Sequence, residues 1–271
     1  MNRILLVILL FCTVNVISQD DDLRLISWNI RDFGQTKSTK ELEHIAQIVK
    51  EADIVAIQEV VSGYGGSQAV AKLNEILNRT GQKWDYAVSD PTKSPKYLTE
   101  RYAYLWKTKH IKVKDRGRLL DELESFVDRE PHYMEFYIQG RSFVVLNYHS
   151  RRFNKNPELE IEPLLDFVID SIQNKSIILA GDFNMSEQDS IFKPLFDHGF
   201  DTAIKNQKTT LKRTCVRQSY LNYPNDNIFY SSNIEATKRG VLDFVKICEN
   251  LKKARELSDH LPVFITFRLT D

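Results

Sequence analysis

Charge of one sign is what this sequence most plainly lacks: 37 lysines and arginines stand against 37 aspartates and glutamates over 271 residues. No global field therefore draws the chain onto a polyanion, and any grip on one must come from local patches or a bound cation. Cysteine is nearly as scarce, three in all. Long linkers rich in glycine, serine or proline are missing, as are low-complexity tracts and internal repeats, so nothing in the sequence divides the chain. What is there, 42% hydrophobic and 27% charged residues, suits a globular protein with a substantial core and excludes wholesale disorder.

One long apolar run is present, at the N-terminus. Residues 1–18 carry Arg3, then a continuous apolar stretch, then Val16 and Ser18, the pattern of a secretory signal peptide cleaved before Gln19. The shortness of the run and the acidic Asp20-Asp21-Asp22 behind it argue against an uncleaved anchor. Phe11 before Cys12 argues against a lipid-attachment site, which wants a small residue there. The expectation is a secreted protein, extracellular or periplasmic, with one domain over residues 19–271, no stable membrane association and a monomeric state. Its mature form has 36 basic and 37 acidic side chains, a net charge of −1. Cys215 and Cys248 remain, either as one disulfide or as two buried thiols, and the sequence carries no geometry to choose.

Short apolar runs rich in β-branched residues predict buried strands at Leu23 to Trp28, Ile54 to Ile57, Ala103 to Trp106, Phe143 to Leu146, Ile177 to Ala180 and Val263 to Phe267. Amphipathic spacing predicts helices over Thr39 to Glu51, Gln68 to Leu77 and Glu158 to Ile172, with Ser38 or Thr39 capping the first. Alternating elements early and clustered strands from Tyr102 to Leu146 predict an α/β fold of two packed sheets with helices outside.

Most of these strands end in polar residues: Asn29, Gln58-Glu59, His149, Gly181-Asp182-Phe183-Asn184, and, before the last strand, Ser258-Asp259-His260. Singly, each is an ordinary turn or surface feature. Five in order are a site. Glu59 follows Ile54-Val55-Ala56-Ile57, where a carboxylate is costly unless paired or bound to a hard cation such as Mg²⁺. Asp182 and Asn184, one residue apart, leave an extended segment on the same face. Asp259 precedes His260, and a carboxylate close to an imidazole orients it and raises its pKa.

Ser27-Trp28-Asn29-Ile30, Ile57-Gln58-Glu59-Val60, Gly181-Asp182-Phe183-Asn184 and Ser258-Asp259-His260-Leu261-Pro262-Val263 resemble the motifs of the endonuclease/exonuclease/phosphatase superfamily, in its order. Glu100-Arg101-Tyr102 and Arg129-Glu130-Pro131 are similar to its deoxyribonuclease I branch. The resemblance spans Leu23 to Phe267 and implies a four-layered α/β sandwich, two mixed sheets flanked by helices, with the site at one rim. It implies Glu59 as principal metal ligand, with Asn29 beside it and Asp259 completing the metal side. Asp182 and Asn184 would position metal, water and phosphate. His149 would pair with Glu100 and His260 with Asp226 as two acid/base couples, and Arg129 would touch a substrate phosphate. The implied activity is secreted, Mg²⁺-dependent endonuclease cleavage of DNA, double-stranded by the habit of the branch, with Mn²⁺ and Ca²⁺ as further candidate ions.

Departures bear on substrate. Where the branch has a groove-entering arginine after the metal glutamate, this chain has Val61 and Ser62, followed by Gly63, Gly65 and Gly66, which predict an irregular loop from Val61 to Ser67. Asn227 replaces an arginine beside Asp226. Arg151 and Arg152 follow His149 closely enough to meet backbone phosphates, and Tyr97 is placed to stack on a sugar or base. The basic stretches Lys107 to Lys114 and Lys205 to Arg217 read equally well as solvated faces. Two alternatives stand beside the nuclease: the same chemistry on sphingomyelin or inositol phosphates, and a non-catalytic binding protein. The sequence shows no long apolar hairpin for a membrane and no extra basic loop for an inositol phosphate. A binding protein would be missing catalytic positions, and none is missing here.

Overall fold

The computed structural model describes residues 22–95, 97–171 and 175–270. The expected signal peptide and Cys12 lie outside the described residues. In chain order the elements are β1 (Leu23–Phe33), α1 (Thr39–Val49), β2 (Ile54–Val61), α2 (Tyr64–Asn78), β3 (Trp84–Val88), β4 (Glu100–Lys107), β5 (Lys112–Val113) and β6 (Arg118–Leu119). There follow β7 (His132–Ile138), β8 (Arg141–His149), α3 (Glu158–Ser171), β9 (Ser176–Asp182), α4 (Lys193–Asp197), β10 (Asp201–Thr202) and β11 (Leu211–Val216). The chain closes with β12 (Ser219–Leu221), β13 (Asp226–Tyr230), β14 (Ile234–Val241), α5 (Leu251–Leu257) and β15 (Val263–Leu269).

One sheet has the order β14-β15-β1-β2-β4-β3 and the other β10-β13-β9-β8-β7-β5; both mix parallel and antiparallel neighbours. The innermost strands β1, β2, β8 and β9 bury both faces along most of their length, so their cores read as apolar runs. Leu25, Ile54, Ala56, Phe143, Val145, Ile178, Ile228 and Phe267 fill the space between the sheets. Ile26, Trp28, Val55 and Ile57 face the other way, onto Leu42, Ile45, Val49, Val70 and Leu73 of α1 and α2. Val144, Leu146, Ile177 and Leu179 likewise pack on Ile161, Leu164 and Val168 of α3. The result is the four-layered sandwich that the resemblance implies. Ser38 caps α1 in a reciprocal box, accepting from the Glu41 backbone while Glu41 accepts from its own.

Two expectations are refined. The glycine-bearing segment after β2 is no irregular loop: Tyr64 to Ser67 form the first turn of α2. Gly66 serves close packing there, since a Cβ on it would lie 2.0 Å from the Val61 carbonyl oxygen. Cys215 and Cys248 are joined as a disulfide, Cα atoms 5.7 Å apart, tying the β11–β12 hairpin to the segment before α5. Among the described residues no helix is long and apolar enough to cross a membrane.

Candidate active site

The site begins where the filling between the sheets changes character. Along β1, β2, β8 and β9 the residues facing the opposite sheet run from Leu25, Ala56, Val145 and Ile178 toward the rim, with strand alternation carrying Ser27, Asn29, Gln58, Asn147, His149 and Asp182 onto that face. The first polar layer is a bridge between sheets. Gln58 Nε2 donates to Asn147 Oδ1 (2.6 Å) and Ser27 Oγ (3.1 Å), and Asn147 Nδ2 donates to the Ile57 and Ala103 carbonyls. Gln58 and Asn147 are wholly buried, so these bonds are what make their burial tolerable. Neither was a predicted site residue, although alternation alone aims both inward.

Register assembles the next layer. His149 pairs with Asp182 across β8–β9, and Asp182 pairs with Asp226 across β9–β13, so three chemically active side chains stand in a row on three adjacent strands. Gly181 makes this closeness feasible: its φ is +154°, and a Cβ there would meet the Tyr148 carbonyl oxygen at 1.8 Å.

Two histidine–carboxylate dyads flank Asp182. His149 Nδ1 lies 3.0 Å from both oxygens of Glu100, and Arg129 Nε reaches the same carboxylate at 3.0 Å. His260 Nδ1 lies 2.8 Å from Asp226 Oδ2, which also accepts from Thr209 Oγ at 2.6 Å. With each Nδ1 held by a carboxylate, the two Nε2 atoms point to one place: Asp182 Oδ2, at 3.5 Å from His149 and 3.7 Å from His260. Burial pulls the pKa of His149 down, but Glu100 outweighs it and the net shift is upward. For His260 burial is again the opposing effect, and Asp226 and Asp182 together push the pKa up to about 10. Burial raises the Asp182 carboxyl, His260 works against that, and the like charge of Asp226 adds to it. Glu100, despite burial, is held below the usual carboxylate range by His149 and Arg129.

The fourth corner is Glu59. A bulge in the β2–β4 ladder between Ile57 and Val60 puts Glu59 at φ +60° and turns it into the site. Its backbone N–H donates to Glu100 Oε1 (3.2 Å), and its carboxylate accepts from Asn29 Nδ2 (3.1 Å) and the Asp32 N–H (3.2 Å). Asn29 Nδ2 also donates to Asp182 Oδ2 at 3.0 Å. The Asn29 side-chain Oδ1, in contrast, is buried with no hydrogen-bond partner. A buried, undonated oxygen next to a partly exposed carboxylate suits a hard divalent cation, so Asn29 and Glu59 fit the divalent metal that the resemblance implies. Asp182, Asp226 and His260 also bring ligand atoms within 4.8 Å of one another. Their mutual bonds already occupy the Nδ1 of that histidine, which makes the Asn29–Glu59 corner the better fit. A cleft of about 630 Å³, lined in part by Arg31, Asp32, Gln35 and Val61, opens beside it.

The remaining predicted residues fall in distinct places. Asn184, at φ +50°, donates its N–H to Asp182 Oδ1 and accepts from Asn225 Nδ2. Asp259 is paired with Arg255 at 3.4 Å and stands outside the Asp182–Asp226–His260 cluster. Its neighbour Ser258 is the buried one, binding the Asn29 carbonyl and the His260 N–H. Arg129 is buried behind Glu100, with further bonds to the Leu98 and Ser150 carbonyls. Arg151 turns inward onto Asp128 and Glu160, whereas Arg152 is exposed. Sequence reasoning also missed Thr209 and Glu160. Glu160, fully buried on α3, accepts from the Arg151 N–H (2.7 Å) and the Asp128 N–H and so clamps the segment after His149. Of the basic stretches, Lys107 pairs with Asp53 at the opposite end of β4 from Glu100, and Lys205 pairs with Asp201.

Residues 26–260 match the endonuclease/exonuclease/phosphatase family. Deoxyribonuclease-1 of Bos taurus is 28% identical over 273 residues, covering 90% of this chain and 92% of that protein. A deoxyribonuclease of Thioalkalivibrio sp. (strain K90mix) is 28% identical over 272 residues, 91% of this chain and 71% of that one. Among solved structures, the mannosyl-6-phosphatase of Bacteroides thetaiotaomicron VPI-5482 superposes with a TM-score of 0.66 at 17% identity, covering 91% of this chain and all of that one.

Proposed function

The chain belongs to the endonuclease/exonuclease/phosphatase family, on its deoxyribonuclease I-like branch, and from that premise we propose that it is a secreted, Mg²⁺-dependent endonuclease that hydrolyses phosphodiester bonds of DNA. The observation that carries the reading is the convergence of the His149 and His260 Nε2 atoms on Asp182, each imidazole backed by its own buried carboxylate. A phosphodiester needs one proton removed from the attacking water and another delivered to the leaving oxygen. Two oriented imidazoles that converge beside Asp182 supply both.

In this reading the water oxygen forms the new bond to phosphorus while the bond to the 3′-oxygen breaks. The water proton passes to one group of the Asp182–histidine cluster, and the opposite imidazole gives its Nε2 proton to the 3′-oxygen. Glu100 and Asp226 keep each ring in the orientation and tautomer that presents Nε2, and they stabilise its protonated form. Asn29 and Glu59 would hold the cation, which when bound offsets charge developing on the phosphate oxygens. Asn184 orients Asp182, and Arg129 holds Glu100 from behind. Arg152 is free to meet a neighbouring phosphate. The leader at residues 1–18 would export a mature chain beginning at Gln19.

The reading is supported by the deoxyribonuclease relatives and by the full set of site residues. Its test is nicking of supercoiled plasmid by the purified mature chain. Nicking with Mg²⁺ that stops on chelation and in His260→Ala is the expected result. A folded chain that leaves plasmid intact while releasing phosphate from sugar or inositol phosphates overturns it.

A further inference from the structure

Six tyrosines and phenylalanines among the described residues have exposed side chains, and five of them lie in the segments at the catalytic end of the sandwich: Tyr64, Tyr97, Phe126, Phe153 and Tyr223. The sheet registers fix that placement. The ends of β2 and β8 and the starts of β4, β7 and β13 all lie at the rim that carries Glu59, Glu100, His149 and Asp226. Four of the five are also tied closely to a site residue. Tyr64 follows Ser62, whose carbonyl binds Arg101 beside Glu100. Tyr97 precedes Leu98, whose carbonyl binds Arg129. Phe153 is four residues past His149. The Tyr223 carbonyl accepts from the N–H of Thr209, which holds Asp226.

Five exposed rings at one end of a protein are costly in water unless something covers them. A lipid surface wants contiguous apolar area. Here the rings sit on five separate segments of the chain, and polar residues adjoin two of them: Phe153 lies between Arg152 and Asn154, and Tyr223 follows Asn222. Arg152 and Lys155 are exposed and have no ion-pair partner among the described residues, and exposed Lys208 and Arg213 lie beside the hairpin that leads to Tyr223. Rings at intervals with cations between them match a strand whose bases are free to stack and whose phosphates are spaced between them. A duplex offers no such faces, because its bases stack on one another. The chain also lacks the arginine that in its branch enters a groove, having Val61 and Ser62 there.

We propose that the rim formed by Tyr64, Phe153 and Tyr223 around the phosphodiester site takes single-stranded DNA, or unpaired stretches of it, in preference to duplex. This rests on the nuclease reading above and departs from the double-stranded expectation.

The test separates binding from cleavage. Fluorescence anisotropy with the full-length His260→Ala chain and Mg²⁺, repeated with wild type and chelator, compares a labelled 20-nucleotide single strand with the same sequence as duplex. The single strand is expected to bind at least about tenfold more tightly. Phe153→Ala and Tyr223→Ala each weaken single-strand binding about five- to tenfold, the loss of one stacked base, and leave duplex binding and hydrolysis of bis(4-nitrophenyl) phosphate unchanged. Equal or tighter duplex binding, unaltered single-strand affinity in both variants, or binding to sphingomyelin vesicles that the variants abolish would each overturn the proposal. Failure to hydrolyse the small diester would instead sink the nuclease reading, and the binding comparison would still decide the strand preference.

Discussion

Replacing Gly181 by alanine tests whether the site is built by strand register. The added Cβ would stand 1.8 Å from the Tyr148 carbonyl oxygen and 2.8 Å from its carbon, against ordinary contact of at least about 3.4 Å. Both obstacles are backbone, so no side chain can swing away. β8 and β9 must separate by about 1.5 Å at the point where His149 faces Asp182. Overpacking of this kind costs roughly 1–3 kcal/mol, and forcing a side chain onto a φ of +154° adds about 1–2 kcal/mol. The expected loss is therefore about 2–5 kcal/mol, read as a shift of the guanidinium midpoint at constant slope. Misplacing a reacting group by an ångström costs on the order of 100-fold in rate, so plasmid nicking at a temperature where the variant is still folded should fall by at least that factor. An alanine variant with the wild-type midpoint and rate would refute the claim that this glycine permits the His149–Asp182 approach.

Further outcomes follow from other buried groups. His132 has its pKa pushed down to about 4 by burial. Because that lies below the unfolded value, its contribution is whole above about pH 6.5 and is lost as pH falls toward 4, by roughly 3 kcal/mol. Wild type should therefore lose about that much more stability than His132→Gln between pH 7 and pH 4; parallel pH profiles would contradict this. Arg129→Met leaves Glu100 buried with one cation fewer, which should cost about 3 kcal/mol or more of stability and lower turnover, and a neutral variant would show that His149 alone suffices to hold Glu100. Removing the Cys215–Cys248 cross-link, whose residues are 33 apart in sequence, should cost about 3–4 kcal/mol. Identical denaturation curves with and without reductant would contradict that.

The sandwich was legible because its central strands are buried on both sides: runs such as Ile54 to Ile57 and Ile177 to Ala180 cannot be much else. Their true lengths were not, since β1 continues through Asn29 to Phe33 and β8 through Asn147 to His149, where the residues turn polar and apolar periodicity falls silent. The same polar continuation is the site, so the signal that hides the strand ends is the one that marks the chemistry. Pairings across the site were reachable only through resemblance, because His149 and Glu100 are 49 residues apart and meet through two sheets. Arg129 and Arg151 read as free phosphate contacts in sequence; their pairing with Glu100 and Glu160 is a tertiary fact with no local mark. Gln58 and Asn147 show the opposite case, readable in principle from alternation along β2 and β8.

The most direct measurement is a double-mutant comparison of nicking rates for His149→Ala, His260→Ala and the two together, with folding checked by circular dichroism. If both imidazoles act on one phosphate at Asp182, each single variant should lose at least about 100-fold and the pair should lose far less than the product of the two. A single variant that nicks at the wild-type rate would contradict the account.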